Sequence, residues 1–319
     1  MFQSDLNYKE YLNKLKKNEL INIINDYNNL CDIYNYEKIN DTKSKKDKLI
    51  NLIDDVKDSY AKGIIKSLDM KDYLALKEMI KKSSMESLNN NRNLINYLKD
   101  KRILWLNDTL EIPKDIKIDE FLKDNKIRKY VDYWSKVYKF VDGIIIAYGV
   151  VDINYFNELC KDVREKSNIF KMLKFYYKKD YVISEEKIVS NKLSNKKRID
   201  KYYKDTNYKK FTTREYIALG SNLYHHNIKA YKRFIKMLRS YYVFKKKDIE
   251  FVDVNIVIPY LYNKINEEEL AKNTLEETVV RLFEFKGNKL KERMLTEIVK
   301  IRSEFPLWEL RGHSKMEGK

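Results

Sequence analysis

Along most of the chain, apolar positions recur every three or four residues, the spacing of a helix with one buried stripe. Leu12, Leu15, Leu20, Ile23 and Ile24 mark a first helix. The stretch TKSKKDKLINLIDDV marks a second, short one started by Thr42 or Ser44. MKDYLALKEMIKK follows as a helix, and the next one runs through about Lys101. NKIRKYVDYWSKVYKFVDGIIIAYGV predicts a long helix, DINYFNELCKDV a helix with Asp152 as N-cap, and SNIFKMLKFYYKK one capped by Ser167. The pattern changes at two places. After Lys101, ILWL and LEIP flank a turn at Asn107–Thr109. Tyr181, Val182 and Ile183 face Ile188 and Val189 across the polar turn Ser184–Lys187. Beyond residue 196 the helical spacing returns, with Asn273 or Thr274 as a helix start and Gly287 as a stop. Only 7 Gly and 3 Pro in 319 residues leave few breakers, which favours long helices.

Each hairpin follows directly on a helix and a basic pair. A small helical cluster leaves apolar surface in water, and a hairpin packed on its open side covers it. The expected fold is therefore mainly α, with two winged-helix-like units whose short hairpins lie near 103–112 and 181–190, and a helical C-terminal domain. The expected division is 1–58, 59–122, 123–195 and 196–319. The first segment, through Leu12, Leu15, Glu19 and Leu20 and then Lys46, Leu49 and Ile50, resembles the SAP and Rho N-terminal modules. In DNA-binding winged helices one helix enters the major groove and the wing touches backbone. Others bind proteins, so the shape alone does not choose.

Charge changes this picture. The chain carries a net +17, and residues 161–247 hold 25 Lys/Arg against 8 Asp/Glu. The remainder holds 40 of each sign, so the excess is confined to that block. Between Glu215 and Asp248 no acidic residue occurs. Wholesale Lys enrichment from base composition would not segregate in this way. A local positive field suits a polyanion, because cations that neutralise phosphates release bound counterions. Within NIKAYKRFIKMLRSYY, Ile228, Tyr231, Ile235, Leu238 and Tyr242 form an apolar stripe, and Lys229, Lys232, Arg233, Lys236 and Arg239 fall on another face. On the preceding helix Lys171, Lys174, Lys178 and Lys179 form a second candidate group. The block also holds many rings, among them Tyr202, Tyr203, Phe211, Tyr216, Tyr224, Phe234, Tyr241 and Phe244; exposed rings stack on bases, whereas buried ones build a core.

The tail FPLWELRGHS, with YKKFT upstream and the hairpins, resembles a group of uncharacterised Firmicutes proteins with a Rho-N/SAP-like start and a winged-helix-like middle. Many of these end in a Cys-rich SEC-C zinc motif after a W-x-x-x-G-H-S segment, here Trp308, Gly312, His313 and Ser314. No Cys follows Cys160, so that zinc site is not expected, and Trp308 and His313 are expected to pack the tail onto the helical body.

Catalytic ingredients are few. No Gly-Lys-Ser/Thr phosphate loop and no metal-binding Cys/His spacing occur. The adjacent His225 and His226 read as a loop or capping pair before the basic helix. Asp180, Glu185 and Lys187 imitate the carboxylate–lysine pattern of metal-dependent nucleases, but a polar hairpin turn accounts for them. Cys31 and Cys160 sit among apolar neighbours and read as buried thiols. MFQSDLNYKE lacks an apolar signal core, and VDGIIIAYGVVDI is too short to span a bilayer. The expectation is a cytoplasmic, non-enzymatic nucleic-acid-binding protein for DNA or RNA, without cofactor or metal. Its phosphate contacts would be Lys171, Lys174, Lys178, Lys179, Lys229, Lys232, Arg233, Lys236 and Arg239. The alternative is a protein–protein adaptor or inhibitor from a phage or mobile element.

Overall fold

A computed structural model describes residues 5–82, 91–102, 105–106, 110–193, 207–242, 245–263, 268–283, 285 and 288–317. The chain is mainly helical, with fifteen α-helices among the described residues. It divides into two compact units, one of residues 1–138 and 163–179, the other of 139–162 and 180–319.

The first unit begins with α1 (Tyr8–Asn13), α2 (Lys17–Tyr34), α3 (Lys46–Asp55) and α4 (Lys57–Lys66). The single first helix expected from the spacing is broken at residues 14–16: α1, opened by a capping box of Asn7 and Glu10, ends at Asn13, and α2 starts anew at Lys17. All five apolar markers are nevertheless buried, because a short break keeps both pieces on the same side of α3, which packs on each. Neither Thr42 nor Ser44 caps α3. Its N-cap is Lys45, and Ser44 is held by Asp41 through a 2.6 Å hydroxyl–carboxylate bond.

Next come α5 (Met70–Lys82) and α6 (Arg92–Asp100), the latter ending where the sequence placed it. Strands β1 (Trp105–Leu106) and β2 (Leu110–Glu111) pair antiparallel with Trp105 opposite Glu111. The expected turn at 107–109 lies outside the described residues. Helix α7 (Ile118–Lys123) packs on α4 and α5, and Tyr73 donates to the Leu122 carbonyl at 2.8 Å. The long helix α8 (Asn125–Tyr148) gives its residues up to Tyr138 to this unit. Tyr138 stacks on Tyr176 at 4.2 Å between ring centroids, and Tyr97 on Tyr177 at 4.6 Å. Helix α10 (Ile169–Phe175) belongs here as well and packs on α2. It is entered through a 3-10 turn at Lys166–Asn168, so Ser167 is not its cap.

The second unit holds the rest of α8, β3 (Val150–Asp152), α9 (Ile153–Leu159), β4 (Tyr181–Ile183) and β5 (Lys187–Ser190). The hairpin is part of a three-stranded antiparallel sheet in the order β3-β5-β4, with Val151 opposite Ile188 and Val182 opposite Val189. Three residues between two helices carry too little alternation to announce β3 in sequence. Asp152 occupies the N-cap position of α9 without making a capping bond. Its carboxylate instead accepts the Tyr208 hydroxyl at 2.9 Å.

The chain leaves α8 through Gly149, whose φ of +69° suits glycine. A Cβ there would lie 2.3 Å from the Trp308 ring. Trp308 is buried and donates its indole N–H to the Ile146 carbonyl at 2.8 Å, packing the tail onto α8 and the sheet as expected. Gly143 on α8 and Gly220 on α11 (Thr213–Gly220) let those two backbones meet. A Cβ on Gly143 would stand 1.8 Å from the Tyr216 carbonyl oxygen.

Helix α12 (Lys229–Tyr241) follows a 3-10 turn, Tyr224–Asn227, and packs along α15 (Asn288–Glu304). Between them in sequence lie α13 (Lys246–Val252), π-helical turns at Asp253–Val257 and Pro259–Asn263, and α14 (Glu268–Leu282). Pro259 has no N–H to give and crowds the carbonyl one turn back, which accounts for the break from the α ladder. Because α14 begins by Glu268, neither Asn273 nor Thr274 starts it. Gly287 lies outside the described residues. No helix among the described residues is long and apolar enough to cross a membrane.

Candidate functional site

The nine cations singled out in the sequence fall into two groups, one in each compact unit. Lys171, Lys174, Lys178 and Lys179 lie on or just after α10 in the first. Three of them make bonds within the protein. Lys171 donates to the Asp32 carbonyl at 3.0 Å, and Lys179 to the Leu173 carbonyl at 3.1 Å. Lys178 bridges Asp69 at 2.9 Å and Asp72 at 2.7 Å, with its side chain 31% exposed. Burial pushes the Lys178 ammonium down, but the two carboxylates outweigh it and raise its pKa. Burial raises the Asp72 pKa against the pull of Lys178 and Tyr177. Lys178 therefore closes a partly buried network in which the Tyr177 hydroxyl also donates to Asp72, at 2.7 Å. Burial lowers the Lys179 pKa. Lys174 is exposed at the end of α10.

The second group lies on α12. Ile228, Tyr231, Ile235 and Leu238 are buried there, with Ala230, Phe234 and Met237 beside them. Lys229, Lys232, Arg233, Lys236 and Arg239 are all exposed. At 100° per residue these five positions share an arc of about 120°, and at 1.5 Å per residue the ridge is about 15 Å long. Arg233 is drawn towards α15, 3.8 Å from Glu297 and 3.4 Å from Glu304. Among the described residues no ion pair engages Lys229, Lys232, Lys236 or Arg239.

The rings of the basic block are chiefly core. Phe211, Tyr216, Tyr224, Tyr231 and Phe234 are buried. The Tyr148 hydroxyl donates to the Lys209 carbonyl and lies 2.6 Å from that of Tyr216, which must then donate to it. Tyr241 is half exposed but hydrogen-bonded to Arg293 at 3.2 Å. Tyr202, Tyr203 and Phe244 lie outside the described residues. Stacking on bases thus has little support, because these large rings fill the interior between helices.

The nuclease-like pattern does not assemble. Asp180 pairs with Lys192 at 3.1 Å. Glu185 and Glu186 are exposed at the hairpin turn. Lys187 closes that turn by donating its N–H to Ser184 Oγ at 3.0 Å. His313 lies 3.9 Å from Glu317.

One constellation was not legible in the sequence. The 3-10 turn places His225 and His226 beside Asp253, the first residue of the π-helical segment 27 positions on from His226. His226 Nε2 is 2.9 Å from Asp253 Oδ2, and His225 Nε2 is 3.4 Å from Oδ1. Tyr231 of α12 donates its hydroxyl to Oδ1 at 2.7 Å. His225 is fully buried; its Nε2 makes only this loose 3.4 Å approach to the carboxylate, short of a well-formed hydrogen bond, and its Nδ1 lies 3.4 Å from the Tyr262 hydroxyl. His226 keeps 45% of its side chain exposed. Burial pushes the His225 pKa down, against Asp253, so the ring is held neutral. Burial would raise the Asp253 carboxyl, but the bonds from His225, His226 and Tyr231 win and keep it ionised. The adjacent histidines were the visible half of this cluster. The carboxylate was hidden by its distance along the chain.

Comparison with family models, curated proteins and solved structures finds no match to this chain.

Proposed function

We propose that the protein binds nucleic acid through the outer face of α12. The observation that carries this reading is the ridge of Lys229, Lys232, Arg233, Lys236 and Arg239, four of which have no ion pair among the described residues. A merely solvated helix face intersperses acids and bases, whereas α12 carries no acidic residue. Unpaired cations in a row match the regular charge of a phosphate backbone, and their free energy of binding comes mainly from released counterions.

Lys174 is the candidate phosphate contact on α10. Lys171, Lys178 and Lys179 already have partners in the protein, so the proposal gives them a smaller part. Of the winged-helix-like unit expected at 123–195, the hairpin supports the reading, lying in the sheet order β3-β5-β4, whereas α10 packs on α2 within the first compact unit. No enzymatic step is assigned to this surface.

The first test is purification of tag-free protein in low salt. Co-purifying nucleic acid, seen as excess absorbance at the base maximum and removed by high salt, is the expected result. A stoichiometric protein partner on clean, nucleic-acid-free material would overturn this reading in favour of an adaptor.

A further inference from the structure

We propose that His225, His226 and Asp253 bind a divalent first-row transition-metal ion, with zinc as the best-matched cargo. The three offer two imidazole nitrogens and one carboxylate oxygen, and these ligand atoms lie within 4.8 Å of one another. Among the described residues they are the one such cluster of His, Cys, Asp and Glu. Zinc–ligand bonds of about 2.0–2.1 Å put neighbouring ligand atoms of a tetrahedral site about 3.3 Å apart. The observed separations of 2.9 Å from His226 to Oδ2 and 3.4 Å from His225 to Oδ1 bracket that spacing. Two nitrogens with one oxygen disfavour calcium and magnesium, which take oxygen ligands.

The burial of His225 Nε2 adds to this. A fully buried ring nitrogen with only a 3.4 Å approach to a carboxylate is poorly satisfied, and with the ring proton on Nδ1, towards the Tyr262 hydroxyl, a metal ion between Nε2 and Asp253 would satisfy it. The neutral ring and ionised carboxylate are the forms that ligate. For His226, moving the single proton of the neutral ring from Nε2 to Nδ1 frees the ligating lone pair. Tyr231, donating to Asp253 Oδ1, is the outer partner that orients the carboxylate. It is built into α12, so the carboxylate is anchored to that helix. Three protein ligands leave the fourth position for water or an anionic oxygen, and the exposure of His226 puts a solvent path beside it. The charges of a divalent ion and one carboxylate sum to a net positive centre, which favours an anion in that position.

The test uses full-length, tag-free protein stripped with a chelator and then freed of it. Cobalt(II) is titrated first, because its visible bands report a tetrahedral site, and zinc is then used to displace it. The expected result is saturation at one ion per chain, the visible bands of four-coordinate cobalt, and a higher melting temperature with zinc. His226→Ala, at a half-exposed position, should weaken binding at least 100-fold, and Tyr231→Phe should weaken it about 10-fold while leaving one ion per chain. His226→Gln serves as a second variant should the alanine change impair folding. Absence of saturable cobalt and zinc binding to the wild-type chain would overturn the assignment. So would a folded His226 variant that binds as tightly as the parent.

Discussion

Neutralising the α12 cations that have no ion pair among the described residues gives the most direct measure of the nucleic-acid reading. The informative variant is Lys232→Gln, Lys236→Gln, Arg239→Gln. Arg233 is left in place because Glu297 and Glu304 already compensate part of its charge. Gln has nearly the helix propensity of Lys and Arg, and all three positions are exposed, so unfolding free energy should change by no more than about 0.5 kcal/mol. Each phosphate contact contributes about 0.9 to the slope of log K against log salt on duplex and about 0.7 on single strands. Three lost contacts should therefore flatten the slope by about 2–3 units. Between 50 and 200 mM salt the ratio of wild-type to variant affinity should then shrink by roughly 20- to 40-fold. Fluorescence anisotropy with labelled duplex and single-stranded oligonucleotides over that salt range measures it. Arg233→Gln supplies an internal contrast and should move the slope by less than the roughly 0.7–0.9 of one full contact. A triple variant with the parental slope would show that phosphates do not lie on α12.

Other outcomes follow from the packing. Lys178→Met should destabilise the protein by about 1–3 kcal/mol in chemical denaturation, a partly screened value, because Asp69 and the buried Asp72 lose their shared cation; a change under about 0.5 kcal/mol would mean the network adds nothing. Gly143→Ala should cost at least about 1–3 kcal/mol, since its Cβ would meet the Tyr216 carbonyl oxygen on the α11 backbone at 1.8 Å; a parental melting temperature would refute that close approach. Trp308→Phe should lower stability by about 1–3 kcal/mol, because the partly buried Ile146 carbonyl loses its indole donor and the buried ring loses contact area.

Helix content, the apolar stripe of α12 and the second hairpin were legible because each depends on periodicity within a few residues. Leu12, Leu15, Leu20, Ile23 and Ile24 are all buried as their spacing implied, even though the helix they mark is two helices. Capping was less legible. Ser44 found Asp41, and Asp152 found Tyr208, in place of the backbone donors expected of them. A short polar side chain bonds whichever donor or acceptor the fold brings near, and sequence distance does not reveal that.

The same division governs the sites. Residue order alone determined that cations concentrate between residues 161 and 247 and that five of them share one face of a single helix, since a helix turns by a constant angle per residue. Only the tertiary structure decided which of those charges remain free. Carboxylates of Asp69, Asp72, Glu297 and Glu304, each distant in sequence, reach Lys178 and Arg233, whereas Lys229, Lys232, Lys236 and Arg239 have no ion pair among the described residues. It also decided that Asp253 stands against His225 and His226. Helical faces arise from local geometry, whereas charge pairing and ligand sets arise from long-range packing of segments that no short-range pattern links.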